Sequence, residues 1–243
     1  MSENNPGLSI VVPCYNESKN IPLLLEKLSG CLSEDSELIL VDNGSTDNTR
    51  EVLSSLIPEY PFARVVTVEK NIGYGYGIVS GLRAARGDFL AWTHADLQTD
   101  PGDVIKAYNL IKGKSDPERY FIKGARKSRP VLDEFFTRGM SLFSSIVLGK
   151  WITDINAQPK LFHSSFIKKL KNPPNDWALD QYVYFMAKKT GLKVETFPVD
   201  FSQRLHGKSH WNTGLSSKWK LIKRTMNFTL RLRKDLKKES QDA

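Results

Sequence analysis

Polar side chains that could hold a metal ion or a phosphate group follow an apolar segment near the middle of the chain. Residues 88–93 read DFLAWT, which predicts a buried strand, and His94, Asp96 and Gln98 come directly after it. Two earlier apolar runs end in the same kind of residue: Asn16 and Glu17, then Asp42 and Asn43. Open α/β sheets place their ligand sites at the carboxyl ends of their strands. The sequence therefore predicts a ligand site at one edge of a sheet.

The chemistry of these residues indicates a metal-assisted reaction of a diphosphate. Carboxylate and amide oxygens are the ligands that Mg²⁺ or Mn²⁺ prefers. Such an ion neutralises the charge that develops on a departing nucleoside diphosphate. A dinucleotide fingerprint and a P-loop are both missing after the first strand, and GYGYG at residues 73–77 lacks the spacing of either motif.

Apolar runs alternate with helical patterns along the first half of the chain. We predict strands at residues 8–15, 37–42, 63–68 and 88–93, with a helix after each; the fourth helix has Asp100 as its cap and Pro101 at its first position. This alternation predicts an α/β fold with a mostly parallel sheet and helices on both faces.

The second half is less regular, and we interpret the chain as a single domain. We predict further strands at residues 119–126 and 193–201, and helices at 135–149 and 177–191. Within one domain spanning 1–243, residues 8–112 would form a nucleotide-binding first half, residues 113–213 an acceptor-type second half, and residues 215–238 a basic amphipathic helix.

Composition limits the partners that we expect. The 243 residues carry a formal net charge of +8, which favours a polyanionic partner. We find no nucleic-acid-binding motif, so a phosphate ligand or an anionic membrane surface is preferred. Residues 215–238 contain nine Lys or Arg and one acid. Two cysteines, no signal-peptide pattern and no apolar run of about 18 residues predict a cytoplasmic protein, either soluble or peripheral at the membrane face.

Four motifs together resemble one enzyme family. The stretches are SIVVPCYNES, LILVDNGSTDNT, NIGYGYGIVSGLRAARGDFLAWTHADLQTDP and VDFSQRLHGKSHW. In this order they resemble the family 2 inverting glycosyltransferases of GT-A fold, and most of all the dolichol-phosphate mannosyltransferase and bacterial polyprenyl-phosphate glycosyltransferase group. The resemblance covers residues 8–211. It implies a UDP- or GDP-linked sugar donor and a polyprenyl-phosphate or other membrane-associated glycan acceptor.

The resemblance also implies functions for individual residues. Nucleotide or substrate contacts would come from the P-x-Y-N-E turn, the second strand end, the D-A-D-L-Q motif and the basic positions near the phosphates: Pro13, Tyr15, Asn16, Glu17, Val41, Asn43, His94, Ala95, Asp96, Arg126, Arg138, Arg204 and Lys208. Asp96 and Gln98 match the metal positions. His94 and Asn43 stand where the family usually has acids.

Asp180 is the candidate catalytic base. Asp180, at the start of the helix in WALDQYVYFM, matches the position of a base in relatives that glycosylate hydroxyl groups. A phosphate acceptor would need no base.

Two other functions are alternatives to glycosyl transfer. A nucleotidyltransferase would use a similar sheet but needs a Gly-rich first loop. The alternative from another class is a catalytically weak nucleotide-sugar-binding or scaffold protein, suggested by His94 and Asn43.

Overall fold

A computed structural model describes residues 5–127, 131–202, 204 and 215–241. The chain separates into two compact units, Met1–Ser128 with Ala157–Gly207, and Arg129–Asn156 with Lys208–Ala243. The predicted division of one domain into two halves and a helix stays a prediction.

The first unit contains a seven-stranded sheet and five α-helices among its described residues. The strands are β1 (Leu8–Cys14), β2 (Ser36–Asn43), β3 (Ala63–Val68), β4 (Phe89–Trp92), β5 (Tyr120–Lys127), β6 (Lys160–His163) and β7 (Lys193–Asp200). The helices are α1 (Ile21–Ser29), α2 (Thr49–Leu56), α3 (Tyr74–Ala84), α4 (Asp103–Lys112) and α6 (Leu179–Lys189). The strand order is β3-β2-β1-β4-β6-β5-β7.

Both faces of β1 and β2 are covered, which explains the unbroken apolar runs at residues 10–12 and 38–41. On one face, Val11 and Val41 lie under α3, where a Cβ on Gly81 would come within 2.4 Å and 2.8 Å of their methyl groups. On the other face, Ile10 and Leu40 join a core with side chains of α1 and α4. The predicted α/β sheet with helices on both faces is confirmed.

The sheet is mostly parallel, with one exception that the sequence pattern did not indicate. Strands β1 to β4 are parallel, and β5 is parallel to β7. β6 runs antiparallel to β4 and to β5. Its first residue, Lys160, pairs with Trp92, so β6 begins at the edge where β1, β2 and β4 end. That edge therefore collects residues from both halves of the sequence.

The fourth helix begins later than predicted. Asp100 does not cap it; its carboxylate instead accepts a hydrogen bond from the Gly102 amide at 3.0 Å in the preceding turn. The helix then starts at Asp103, with Gly102 at the cap position.

The second unit contains α5 (Val131–Leu148) and α7 (Leu215–Gln241). Ser144 on α5 and Thr229 on α7 share a hydrogen bond of 3.4 Å, and Leu232 is buried. Trp219 and Leu230 on α7 are 67% and 51% exposed, so these two apolar side chains do not pack into a core. Among the helices in the described part of the chain, none has the length and apolar character needed to cross a bilayer.

Candidate functional site

Asn16 links the loop after β1 to the loop after β2. Asn16 adopts a left-handed backbone conformation (φ 58°), which asparagine tolerates better than most residues. Its side-chain oxygen accepts hydrogen bonds from the amides of Thr46 and Asp47 at 2.8 Å and 3.3 Å. Asn16 therefore holds the two loops in a fixed relation at the edge of the sheet.

The two polar residues at the end of β2 are buried and bonded to neighbouring loops. Asp42 accepts hydrogen bonds from the Ser45 amide at 3.0 Å and from the Arg50 guanidinium at 2.9 Å. The Asn43 side-chain nitrogen donates a hydrogen bond to the Gly73 carbonyl at 3.0 Å. An aspartate at position 43 could not make the bond to Gly73, because a carboxylate only accepts.

Asp96, Gln98 and Arg204 form a charged cluster after β4. Asp96 is 3% exposed. One of its carboxylate oxygens accepts a hydrogen bond from the Gln98 backbone amide at 3.2 Å, and the other pairs with the Arg204 guanidinium at 2.8 Å. Arg204 also donates to the Gln98 side-chain oxygen at 3.3 Å. Residues 106 or more positions apart are thus brought together. An anionic ligand here would contact the Arg204 guanidinium, which Asp96 and Gln98 hold in place.

His94 lies among aromatic rings beside this cluster. Its Nε2 is 2.9 Å from the Tyr74 hydroxyl, and its Nδ1 is 4.0 Å from an oxygen of Asp96. Tyr74 stacks on Trp177 with a centroid distance of 3.9 Å, and both rings are nearly perpendicular to the imidazole. Burial lowers the pKa of His94, and this outweighs the opposing effect of the Asp96 charge.

Asp180 is fully buried in an ion pair with Lys160, which is also fully buried. The same carboxylate oxygen accepts a hydrogen bond from the Gln158 amide at 2.9 Å. Gln158 also donates to the Tyr74 hydroxyl at 3.3 Å. Asp180 is therefore connected to His94 through two intervening side chains.

The other predicted site residues divide into those at this edge and those elsewhere. Glu17 is half-buried, and burial is the main cause of its raised pKa. The charge of Asp96 raises this pKa further, and the charge of Arg204 lowers it. The remaining predictions at the ends of the first unit's strands differ in burial: Pro13 is half-buried, Tyr15 is 40% exposed, and Val41 and Ala95 are buried. Val41 has its side chain in the core beneath Gly81, so only its backbone can face a ligand.

Three predicted basic residues have different settings. Arg126, at the end of β5, lies over the Phe201 ring at 5.3 Å. Arg138 lies on α5 in the second unit, where it pairs with Glu134 at 2.5 Å. Lys208 lies outside the described residues.

The residues that could hold a divalent metal are few. Within the described ranges there is no group of three or more His, Cys, Asp or Glu side chains that could do so. Asp96 and Gln98 provide one carboxylate and one amide oxygen. This set fits a hard cation such as Mg²⁺, which keeps several waters and binds through one or two carboxylates together with substrate phosphates.

Comparison with known proteins identifies the family. The model of glycosyl transferase family 2 matches residues 9–170, which include β1 to β6 and the whole edge described above apart from Arg204, Trp177 and Asp180. The chain belongs to glycosyl transferase family 2. The predicted family resemblance is confirmed.

Curated relatives of this family 2 chain include two groups of lipid-linked transferases. It is 26% identical over 212 residues to a dolichyl-phosphate beta-glucosyltransferase from Trichomonas vaginalis, covering 81% of this chain and 66% of that protein. It is 37% identical over 116 residues to an undecaprenyl-phosphate 4-deoxy-4-formamido-L-arabinose transferase from Yersinia enterocolitica, covering 46% and 35%. The chain thus spans between about a third and two thirds of the length of these relatives.

Solved structures confirm the GT-A fold. The chain superposes on glucosyl-3-phosphoglycerate synthase from Mycobacterium tuberculosis, solved with Mn²⁺, UDP and glucosyl-3-phosphoglycerate, with a TM-score of 0.69, 18% identity and coverage of 94% and 80%. It superposes on a mannosyltransferase from Pyrobaculum calidifontis, solved with GDP-mannose and Mn²⁺, with a TM-score of 0.65, 20% identity and coverage of 91% and 61%.

Four residues of the family 2 site were not predicted from the sequence. Gln158 and Lys160 lie in a segment that showed no helical or strand pattern. Tyr74 belongs to GYGYG, which lacks the spacing of a nucleotide-binding motif, and Trp177 was assigned only to a helix. The one available signal was a lysine within QPKLF, an apolar setting that is unusual for lysine unless it is paired.

Proposed function

We propose that this chain transfers a sugar, with inversion, from a nucleotide sugar to a polyprenyl phosphate or another membrane-associated glycan acceptor. The observation that carries the proposal is the cluster of Asp96, Gln98 and Arg204 at the carboxyl edge of the sheet. The family assignment and the activities of the relatives support it.

The donor diphosphate is expected to bind at this cluster with a divalent metal, either Mg²⁺ or Mn²⁺. Asp96 and Gln98 would hold the ion, whose chemistry is to neutralise charge on the leaving diphosphate. Arg204 can donate charge-assisted hydrogen bonds to phosphate oxygens. The nucleoside, linked to UDP or GDP, would lie against the loops after β1 and β2, which Asn16 holds together.

The setting of Asp180 favours a phosphate acceptor over a sugar hydroxyl. A hydroxyl nucleophile needs a positioned base that can reach its proton. Asp180 is fully buried, and one of its oxygens is bonded to both Lys160 and Gln158. A lipid phosphate has a second pKa near 6 and is already a nucleophilic anion at neutral pH. We therefore assign no proton transfer from the acceptor to Asp180.

An anionic membrane surface is the second partner that we propose. Lys220, Lys223, Arg224 and Arg231 line a groove of about 620 Å³ on α7, together with Asn227 and Leu230. Large apolar side chains are exposed in the same unit, among them Phe135, Ile146, Trp151 and Trp219. Exposed apolar residues next to basic ones are typical of helices that lie at the surface of anionic membranes. The protein would then be peripheral at the cytoplasmic membrane face.

Ligand-induced thermal stabilisation tests the donor part of this proposal. A ligand that binds only the native state raises the melting temperature. We expect UDP- or GDP-sugars to stabilise the protein with Mn²⁺ or Mg²⁺ and not with EDTA. No stabilisation by any nucleotide sugar in the presence of metal would contradict the donor assignment. Binding without any transfer would instead support the scaffold alternative.

A further inference from the structure

Arg204 contacts the same two side chains that we assign to the metal. Its Nη2 lies 2.8 Å from Oδ2 of Asp96, and its Nε donates a hydrogen bond to Oε1 of Gln98 at 3.3 Å. The guanidinium of arginine is always positively charged in proteins. The oxygens assigned to a divalent cation therefore also bind a cation that belongs to the chain itself.

Gln98 has its side-chain oxygen, and not its nitrogen, on the side of Arg204. Its Nε2 donates a hydrogen bond to the Ser202 carbonyl at 3.2 Å, and a carbonyl can only accept. The Ser202 amide in turn donates to the Gln98 carbonyl at 2.7 Å. These two bonds hold the backbone at Ser202 against the loop after β4. Arg204 therefore stays near the site when its guanidinium changes partners.

Asp96 has little capacity for a second cation beside Arg204. Its carboxylate is buried, and the oxygen that does not contact Arg204 accepts a hydrogen bond from the Gln98 backbone amide at 3.2 Å. An ion bound to Oδ2 would lie next to the guanidinium, and like charges repel more strongly in a largely buried site than in water. A metal ion and Arg204 would therefore compete for Asp96 and Gln98.

A diphosphate gives both cations an anionic partner. Its oxygens accept charge-assisted hydrogen bonds from a guanidinium, and they also bind hard divalent cations. We propose that Arg204 exchanges Asp96 and Gln98 for the diphosphate, so that the protein binds the metal weakly by itself and tightly together with the nucleotide. The exchange rests on the proposed function, whereas competition between Arg204 and a metal ion is measured without a nucleotide.

Binding of Mn²⁺ alone, followed by the electron paramagnetic resonance signal of the free ion, tests the competition. Arg204→Met removes the charge but keeps much of the side-chain length. We expect it to bind Mn²⁺ about tenfold or more tightly than the wild type, since a cation beside a carboxylate changes its affinity for a second cation by this order. Arg204→Lys keeps the competing charge, so its affinity for Mn²⁺ should stay closer to that of the wild type.

Lys106→Met is the matched control. Lys106 pairs with the buried carboxylate of Asp103 at 2.7 Å, so this substitution also removes one positive charge from beside a buried acid. Lys106 is mostly exposed, and its affinity effect should stay within about threefold of the wild type. Unchanged or weaker Mn²⁺ binding in Arg204→Met, or an equal gain in Lys106→Met, would overturn the competition.

A second experiment measures how strongly nucleotide and metal promote each other's binding. Titration calorimetry gives the Mn²⁺ affinity with and without saturating UDP or GDP. The nucleotide should raise this affinity in the wild type, and the gain should be about tenfold smaller in Arg204→Met, because the coupling between two ligands is reciprocal. An equal gain in both proteins would overturn the exchange. Absence of nucleotide binding to the wild type with Mn²⁺ would contradict the proposed function and with it the exchange, and the competition would stand or fall on the result for Mn²⁺ alone.

Discussion

Asp96 lies at the end of β4, with one carboxylate oxygen bonded to the Gln98 amide and the other to Arg204. It provides the one carboxylate among the described residues that we assign to the metal. Burial lowers the pKa of its neighbour His94, which disfavours a positive charge there. On the proposed assignment, the metal affinity of the site would depend on a single anionic side chain.

Asp96→Asn should abolish metal-dependent binding of nucleotide sugars while the protein stays folded. The amide preserves the size of the side chain but removes the anionic ligand. Titration calorimetry with UDP or GDP and Mn²⁺ measures the effect. Asp100→Asn, a change of the same kind at an exposed residue four positions away, is the matched control and should bind like the wild type. Unchanged metal dependence in Asp96→Asn would contradict the assignment.

Asp180→Asn should lower the free energy of unfolding strongly and turnover only modestly. The substitution leaves the Lys160 ammonium buried without its counter-charge, and removing one partner of a buried pair costs about 3–5 kcal/mol. Urea denaturation measures this loss. Turnover of the folded variant should fall less than tenfold, because we assign the aspartate no proton transfer.

The double change Lys160→Met with Asp180→Leu provides the control for stability. It removes both buried charges, so most of the lost stability should return. A hundredfold fall in turnover of Asp180→Asn, with stability and donor affinity intact, would make Asp180 the base and would contradict the phosphate acceptor.

At the scale of the elements, the strands of the first half were predicted within two residues of their observed bounds. The apolar runs of β1 to β4 are short and bordered by turn residues, so local pattern determines them. The four-residue strand β6, by contrast, was not predicted. It begins with Lys160, which is buried against Asp180 in the folded chain. A contact between residues 20 positions apart leaves no periodicity in the sequence.

The candidate site was predicted only in part for the same reason. The residues that follow β1, β2 and β4 were recognisable because strand ends of a parallel sheet meet at one edge. The bonds from Gln158 and Lys160 to Asp180 depend on the position of an antiparallel strand, which local propensity does not encode.

The glycines at the start of α3 allow a loop to approach its backbone closely. A Cβ on Gly75 would lie 2.3 Å from the Pro174 carbonyl oxygen and 2.7 Å from that of Asp176. The same loop carries Trp177, which stacks on Tyr74. The GYGYG motif therefore contributes to the site through packing.

Gly75→Ala should consequently displace the loop and lower stability by about 1–3 kcal/mol, as overpacking does. Chemical denaturation measures the change. Gly139→Ala on α5 is the control, because a Cβ there meets nothing within 4 Å; it should stabilise the protein by up to about 1 kcal/mol. Equal stability of Gly75→Ala and the wild type would show that the close contact with the loop is not needed.

At the scale of the whole molecule, the net charge of +8 is concentrated in α7, where residues 215–238 carry nine of the 35 Lys and Arg. The basic groove of α7 and the exposed apolar side chains of its unit together favour an anionic bilayer as the partner. Each basic residue near such a surface contributes about 1 kcal/mol to binding, an effect that falls with salt.

Charge reversal on α7 should therefore weaken binding to anionic vesicles strongly. We expect Glu at positions 220, 223, 231 and 234 to reduce co-sedimentation with phosphatidylserine vesicles at least a hundredfold at low salt. The control reverses four exposed lysines of the first unit, Lys19, Lys27, Lys112 and Lys168, and so has the same net charge. Similar losses in both variants would show that total charge, not the α7 surface, governs binding.

The transfer reaction itself tests the central claim most directly. The protein is incubated with Mn²⁺, a panel of UDP- and GDP-sugars and a polyprenyl phosphate, and the lipid products are analysed by mass spectrometry. We predict that one donor yields a polyprenyl-phosphate sugar and an equal amount of nucleoside diphosphate, and that Asp96→Asn yields neither. A donor that binds in the presence of metal but is not transferred to the lipid phosphate would contradict the account.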